Sequence, residues 1–147
     1  MNTLYIVVPC YNEEEVLEET TKRLKEKLND LIKSKKINKN SKVMYVNDGS
    51  KDKTWKLIKK ISSDSMFTGI SLSRNRGHQN ALLAGLMTAK EKADIVISMD
   101  ADLQDDINVI DEMLDKYNEG NEIVYGVRSS RKMDTWFKKT TAEAFYK

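Results

Sequence analysis

Ile95-Val-Ile-Ser-Met-Asp-Ala-Asp-Leu-Gln-Asp-Asp106 is an apolar, β-branched run that ends in a cluster of oxygen ligands. Its first half reads as a strand buried on both faces, the kind found in parallel sheets covered by helices. Its second half carries Asp100, Asp102 and Gln104 out of the strand's carboxyl end, where open α/β sheets bind ligands. A hard divalent cation, Mg2+ or Mn2+, suits that donor set. Such ions take few protein carboxylates and let substrate oxygens, for example those of a diphosphate, complete the shell. Acidic residues after a strand also solubilise loops and cap helices, so the cluster gains weight only from its surroundings.

Outward from this stretch, the hydrophobic period switches repeatedly between short β-branched runs and helical spacing, which predicts an α/β fold with a mainly parallel sheet flanked by helices on both faces. The expected strands are Thr3 to Pro9, Lys42 to Asn47, Met66 to Leu72, Ile95 to Met99 and Glu122 to Val127. Between them the spacing predicts helices over Glu13 to Ser34 with Asn12 as its cap, around Trp55 to Ile61 after a capping Asp52, over Arg76 to Lys92, and over Val109 to Asn118 with Gly120 as its stop. The closing segment Met133 to Lys147 reads as an amphipathic basic helix, suited to a membrane surface, to the sheet or to a second copy of the chain. No repeat or linker interrupts residues 1–147, which read as a single domain.

Composition removes several functions. Lys plus Arg number 25 against 23 Asp plus Glu, and a net charge of +2 makes no case for a nucleic-acid binder. One cysteine, Cys10, excludes an internal disulfide, and with a single histidine there is no Cys/His zinc site. Leu4 to Val8 is too short for a signal peptide or a membrane span. Neither a phosphate loop, a dinucleotide fingerprint after the first strand, nor a nucleophile elbow is present.

The loops after the first, second and fourth expected strands should converge on one crevice. Pro9-Cys-Tyr-Asn-Glu13 offers a ring for stacking at Tyr11 and a carboxylate at Glu13 for a ribose or base. Asn47-Asp-Gly-Ser50 supplies Asp48, an acceptor for the imide N–H of uracil, beside a glycine that permits close approach. Between them, Ser71-Leu-Ser-Arg-Asn-Arg-Gly-His-Gln-Asn80 opens a helix whose first amides, with Arg74 and Arg76, favour a diphosphate. His78 in this run reads as a loop or capping residue.

Val7-Val-Pro-Cys-Tyr-Asn-Glu-Glu14, Val46-Asn-Asp-Gly-Ser50, Ser73-Arg-Asn-Arg-Gly77 and Asp100-Ala-Asp-Leu-Gln-Asp105 follow one another in the order of the family 2 glycosyltransferases, which the chain resembles over nearly its whole length. The nearest branch is similar to the polyprenyl-phosphate glycosyltransferases related to dolichol-phosphate mannose synthase. The resemblance implies a Rossmann-like GT-A fold and inverting transfer of a hexose from a nucleoside diphosphate sugar, UDP-linked or GDP-mannose, to a polyprenyl phosphate or glycan. It implies that Pro9, Tyr11, Glu13 and Asp48 hold the nucleoside, that Asp100 lies by the ribose and the metal, and that Asp102 and Gln104 bind the metal. Tyr125-Gly-Val-Arg-Ser-Ser-Arg131 resembles the family's phosphate-contacting stretch, which makes Arg128 and Arg131 the expected contacts of an anionic acceptor. Relatives continue past the position of Lys147 with an acceptor loop and often two membrane helices. The chain is therefore expected to be the donor-binding part of a protein working at the cytoplasmic face of the membrane in building the cell envelope. A nucleotide-sugar-binding fragment without turnover is one alternative. A nucleotidyltransferase is another, although the loop after its first strand should be glycine-rich and basic, unlike Pro9-Cys-Tyr-Asn-Glu13.

Overall fold

The computed structural model describes residues 1–103 and 107–120 with their side chains, and 123–128 and 134–139 as backbone strands. The chain divides into two compact units, Met1–Gln104 and Asp105–Lys147. In the first, strands β1 (Leu4–Cys10), β2 (Lys42–Asn47), β3 (Phe67–Ser71) and β4 (Ile95–Ser98) alternate with helices α1 (Leu17–Lys33), α2 (Thr54–Ile61) and α3 (His78–Ala89). The four strands form one parallel sheet in the order β3-β2-β1-β4. The connection from β1 runs to one side of it and β4 joins on the other. A crevice therefore opens at the carboxyl ends of β1 and β4, where the strand order reverses.

Period-two alternation divides the core between the two faces. Tyr5, Val7, Met44 and Val46 point to one face and pack with Ala81, Leu86 and Ala89 of α3. Gly85 sets how closely α3 lies, since a Cβ there would sit 2.5 Å from Val7 Cγ1 and 2.8 Å from Val46 Cγ2. On the opposite face α2 lies over Gly69, whose missing side chain leaves room for Ile58. There too Thr21 of α1 shares a 2.7 Å hydrogen bond with the Tyr45 hydroxyl. Leu17, Leu24, Leu28 and Leu31 of α1 are fully or almost fully buried, each worth about 1.5–3 kcal/mol of removed apolar surface. β1, central and buried along its whole length, is what a continuous apolar run should become.

Two expectations at the helix starts change. α1 begins at Leu17 rather than Glu13, with no side-chain cap. Asn12 does not cap it; it sits at φ +53 and its side chain accepts the Lys51 N–H at 2.8 Å. The amides of Glu13 and Glu14 are taken by the side chains of Thr54, at the start of α2, and Asp52 before it, and the chain turns over 13–16 before the helix begins. α2 is capped by Lys53 without a side-chain cap bond, and Asp52, expected as its cap, sits one residue earlier with its Oδ1 accepting the Thr54 N–H at 2.9 Å.

In the second unit, α4 (Val109–Asn118) keeps its expected bounds, with Asp111 and Glu112 in the first turn, Lys116 in the last and Gly120 at φ +101 beyond it. The fifth expected strand has an antiparallel partner. β5 (Ile123–Arg128) pairs antiparallel with β6 (Asp134–Lys139) in a two-stranded sheet, with Tyr125 opposite Phe137 and Gly126 opposite Trp136. The helix expected from Met133 is thus a strand over Asp134–Lys139: Thr135, Trp136 and Phe137 are strong strand formers, and a partner strand outweighs their helical spacing. Residues 140–147 of that expectation lie outside the described residues.

A tie between α1 and the turn before β3 gives a pH prediction. Asp64 pairs with Lys25 at 2.6 Å, and this bond, with the Met66 N–H, holds its carboxyl below the ordinary value of 3.8. A depressed carboxyl stabilises the fold above its unfolded-state pKa and loses that contribution as the pH falls through the folded-state pKa. Asp64→Asn is therefore expected to lower stability modestly at neutral pH, by about 0.2–1 kcal/mol for a half-exposed pair, and to match the parent near pH 2. Urea midpoints at the two pH values test this.

Candidate functional site

The loops after β1 and β2 are stitched together before any ligand is considered. The Asp48 N–H donates to the Cys10 carbonyl at 2.9 Å, the Asn12 N–H to Ser50 Oγ at 2.9 Å, and the Glu13 N–H to Thr54 Oγ1 at 2.8 Å. Asp52 anchors the far end: its Oδ2 accepts the Glu14 N–H at 3.3 Å and its Oδ1 accepts the Thr54 hydroxyl. Burial raises the Asp52 carboxyl, but the hydrogen bonds from Thr54 and Glu14 together outweigh it and hold the group below its ordinary value.

The loop after β3 closes onto this pair. Asp48, buried at 2% exposure, accepts the Arg76 N–H on Oδ1 at 2.6 Å. Gly49, at φ +68, lies so close to the Arg74–Asn75 backbone that a Cβ would fall 2.3 Å from the Asn75 nitrogen. Asn47 ties the strands just below, its Nδ2 donating to Ser71 Oγ at 2.9 Å.

Between the three loops is an open cavity of about 250 Å³ lined by Pro9, Cys10, Tyr11, Glu13, Asp48, Asn75, Gly77 and His78. Pro9, Tyr11, Glu13 and Asp48, expected to act together, thus share one wall. Tyr11 exposes 42% of its surface, which leaves its ring available for stacking. Burial and then the Glu13 charge push the Cys10 thiol well above the ordinary range, which disfavours its thiolate.

The acidic edge comes from the segment after β4. Asp100 and Asp102 are exposed, and the His78 Nε2 stands 3.7 Å from Asp100 Oδ1. Burial, then the charges of Asp102, Asp100 and Asp52, raise the Glu13 carboxyl above its ordinary value. Two exposed carboxylates that raise a third are hard oxygen donors, and that donor set fits a hard divalent cation. Among the described residues no three His, Cys, Asp or Glu side chains form a metal cage by themselves. Gln104, the other expected ligand, lies outside the described residues.

Arg74 does not line the cavity; its side chain is exposed and its backbone abuts Gly49. Of the arginines expected on the acceptor side, Arg128 ends β5 in the second unit and Arg131 lies outside the described residues. Sequence reasoning missed Asn75, Gly77 and His78 as lining residues. Gly77, at φ +93 with nothing within 4 Å of a would-be Cβ, holds open the approach to the first turn of α3. Its signal was a glycine one residue ahead of a helix. His78 gave none, since Asp100 is remote in sequence.

This parallel sheet, covered by helices and open in a crevice at the carboxyl ends of β1 and β4, is the α/β arrangement of the GT-A fold. The profile described as Glycosyl transferase family 2 matches residues 5–146, and the chain belongs to that family. It is 59% identical over 145 residues to the uncharacterized glycosyltransferase YkoT of Bacillus subtilis (strain 168), a match covering 98% of this chain and 43% of the relative. It is 38% identical over 143 residues to the prophage bactoprenol glucosyl transferase homolog of Escherichia coli (strain K12), covering 97% of this chain and 44% of the relative. The chain thus spans less than half the length of these curated relatives. Among solved structures, the mannosyltransferase PcManGT from Pyrobaculum calidifontis, in complex with GDP-Man and Mn2+, shares the fold with a TM-score of 0.56 at 24% identity, over 69% of this chain and 28% of that one.

Proposed function

We propose that this chain forms the donor-binding part of an inverting hexosyltransferase that uses a nucleoside diphosphate sugar, preferentially a UDP-sugar, with a polyprenyl phosphate as acceptor. The observation that carries the reading is the junction of two features: a cavity walled by Pro9, Tyr11, Glu13 and Asp48, and beside it two carboxylates, Asp100 and Asp102, that raise the Glu13 carboxyl. The first suits a nucleoside, the second a cation-bound diphosphate. The bactoprenol glucosyl transferase name of a relative at 38% identity supports the lipid phosphate, and the GDP-Man and Mn2+ bound to PcManGT support the donor class and the metal.

In this reading Tyr11 stacks on the base and Asp48 accepts its imide N–H on the carboxylate oxygen that Arg76 leaves open. Glu13 would face the ribose, and Asp100 would lie by the ribose and the cation. Asp102 and Gln104 would hold a Mg2+ or Mn2+ ion, which would supply positive charge to offset that growing on the departing diphosphate. A phosphate acceptor is already anionic near neutral pH, so positioning and charge neutralisation matter more than a strong general base. Arg128 and Arg131 would supply that neutralisation on the acceptor side by bidentate contacts. A lipid-linked acceptor would set the whole protein to work at the cytoplasmic face of the membrane. Among the described residues no helix is long and apolar enough to cross one.

Calorimetric titration with UDP and with GDP, in Mn2+ and again in a chelator, tests this reading. Metal-dependent binding, tighter for UDP, is the expected result. Equal binding with and without metal would refute the metal assignment, and tighter GDP binding would reverse the base preference.

A further inference from the structure

The stretch that presents the two carboxylates alternates strictly. Met99, Ala101 and Leu103 are buried, at 6%, 2% and 8% exposure, while Asp100 and Asp102 between them are exposed. Strand pairing cannot hold this alternation, since β4 ends at Ser98. Two local contacts shape it: the Met99 N–H donates to the Val7 carbonyl at 3.0 Å, and the Leu103 N–H to the Asp100 carbonyl at 3.1 Å, closing a turn. The turn leaves Leu103 at φ +49, a left-handed conformation that a branched apolar residue adopts only when its surroundings impose it.

One further bond reaches the centre of this turn from the opposite end of the sequence. Thr20 of α1, itself 3% exposed, donates its hydroxyl to the Ala101 carbonyl at 2.5 Å. A threonine inside a helix ordinarily turns its hydroxyl back to the carbonyl four residues earlier. Here the Val16 carbonyl keeps the Thr20 backbone N–H at 3.0 Å, and the hydroxyl leaves the helix for the loop. The Ala101 carbonyl lies in the peptide plane that leads into Asp102, so the Thr20 bond fixes that plane, while the Leu103 N–H on the Asp100 carbonyl ties the Asp100 end of the same turn.

We infer that Thr20 is a positioning residue of the cation site, locking the Asp100-Ala101-Asp102 turn so that both carboxylates are held in place before a cation arrives. The inference rests on the donor-site reading above. It gives α1, whose other buried positions are leucines, a functional side chain.

The test compares the full chain with Thr20→Val, which keeps the shape and deletes the donor, and Thr20→Ser, which keeps the donor. UDP binding is titrated in Mn2+ and in a chelator, and Mn2+ affinity is followed separately by electron paramagnetic resonance. Supporting a ligand from behind commonly contributes ~10–100-fold in metal affinity. Thr20→Val is expected to weaken Mn2+ and Mn2+-dependent UDP binding about tenfold, to leave chelator-resistant UDP binding unchanged, and to be rescued by Thr20→Ser. A merely structural role would lower both modes of binding together, or neither, and would overturn the inference. Should Thr20→Val fail to fold, Thr20→Ala against Thr20→Ser makes the same comparison. If the parent chain itself shows no metal dependence, the donor-site reading falls and takes this inference with it. Parent dependence that Thr20→Val leaves unmoved overturns the inference alone.

Discussion

Asp102→Asn is expected to abolish metal-dependent nucleotide binding while leaving the fold intact. The residue is exposed, so the amide costs the core nothing, and the change removes one negative charge at constant shape. A cation held by few protein ligands loses a large share of its attraction when one is neutralised. The effect should therefore exceed the ~10–100-fold that supporting residues contribute. Titration of the variant with UDP in Mn2+ measures it, and an affinity equal to the parent's would rule out Asp102 as a ligand. A second readout belongs to Glu13. Its carboxyl is raised by burial and then by Asp102, so removing that charge should let its pKa fall toward the ordinary value. Carboxyl titration by nuclear magnetic resonance would follow the shift, and Asp102→Asn should move it downward.

Gly49→Ala is expected to be the most damaging single methyl group in the first unit. Two penalties act together. At φ +68 a side chain costs about 1–2 kcal/mol. The new Cβ would also lie 2.3 Å from the Asn75 nitrogen and 2.4 Å from the Arg74 carbonyl carbon, backbone atoms that cannot turn aside as a side chain tip would. Forced displacement of this kind adds about 1–3 kcal/mol. The sum is a large part of a small domain's ~5–15 kcal/mol. It falls where the loops after β2 and β3 meet, so the Asp48–Arg76 hydrogen bond should open and nucleotide affinity should drop with stability. Gly77→Ala is the control: it shares a positive φ but meets nothing within 4 Å, and it should show the backbone penalty alone. Denaturation midpoints of the two variants, with UDP affinity alongside, separate steric from conformational cost.

The parallel sheet was legible because its signal is local. Continuous apolar runs at Leu4–Cys10 and Lys42–Asn47 bury on both faces, the shorter run Ile95–Ser98 is half-buried around a buried Ile97, and turn residues mark their ends. α4 was legible to the residue for a similar reason, with acids at its start and a glycine past its end. What was hidden depends on residues distant in sequence. α1 starts at Leu17, past a turn whose Glu13 and Glu14 amides are bonded to Thr54 and Asp52, 41 and 38 positions on. The strand at Asp134–Lys139 escaped because an aromatic stripe at helical spacing also satisfies the demands of a strand, and only the partner decides. In the site, the residue types at Pro9, Tyr11, Glu13 and Asp48 announced a pocket, whereas Asn75, Gly77 and His78 became visible only when the loop after β3 folded over Asp48.

The stitching of the loops after β1 and β2 also bears on how the protein acquires its shape. Its bonds join residues 38 to 41 positions apart, with all of α1 between them. Contacts of that span form late, because the intervening chain must close a long loop before they stabilise anything. Half of the cavity wall is thus a product of the first strand–helix–strand crossover and is complete once Thr54 has joined it. The other half waits for Arg76 to reach Asp48 and for Asp100 to arrive beside His78. On a ribosome the pocket would be assembled in the order of the chain, the wall from the loops after β1 and β2 first and the acidic edge last.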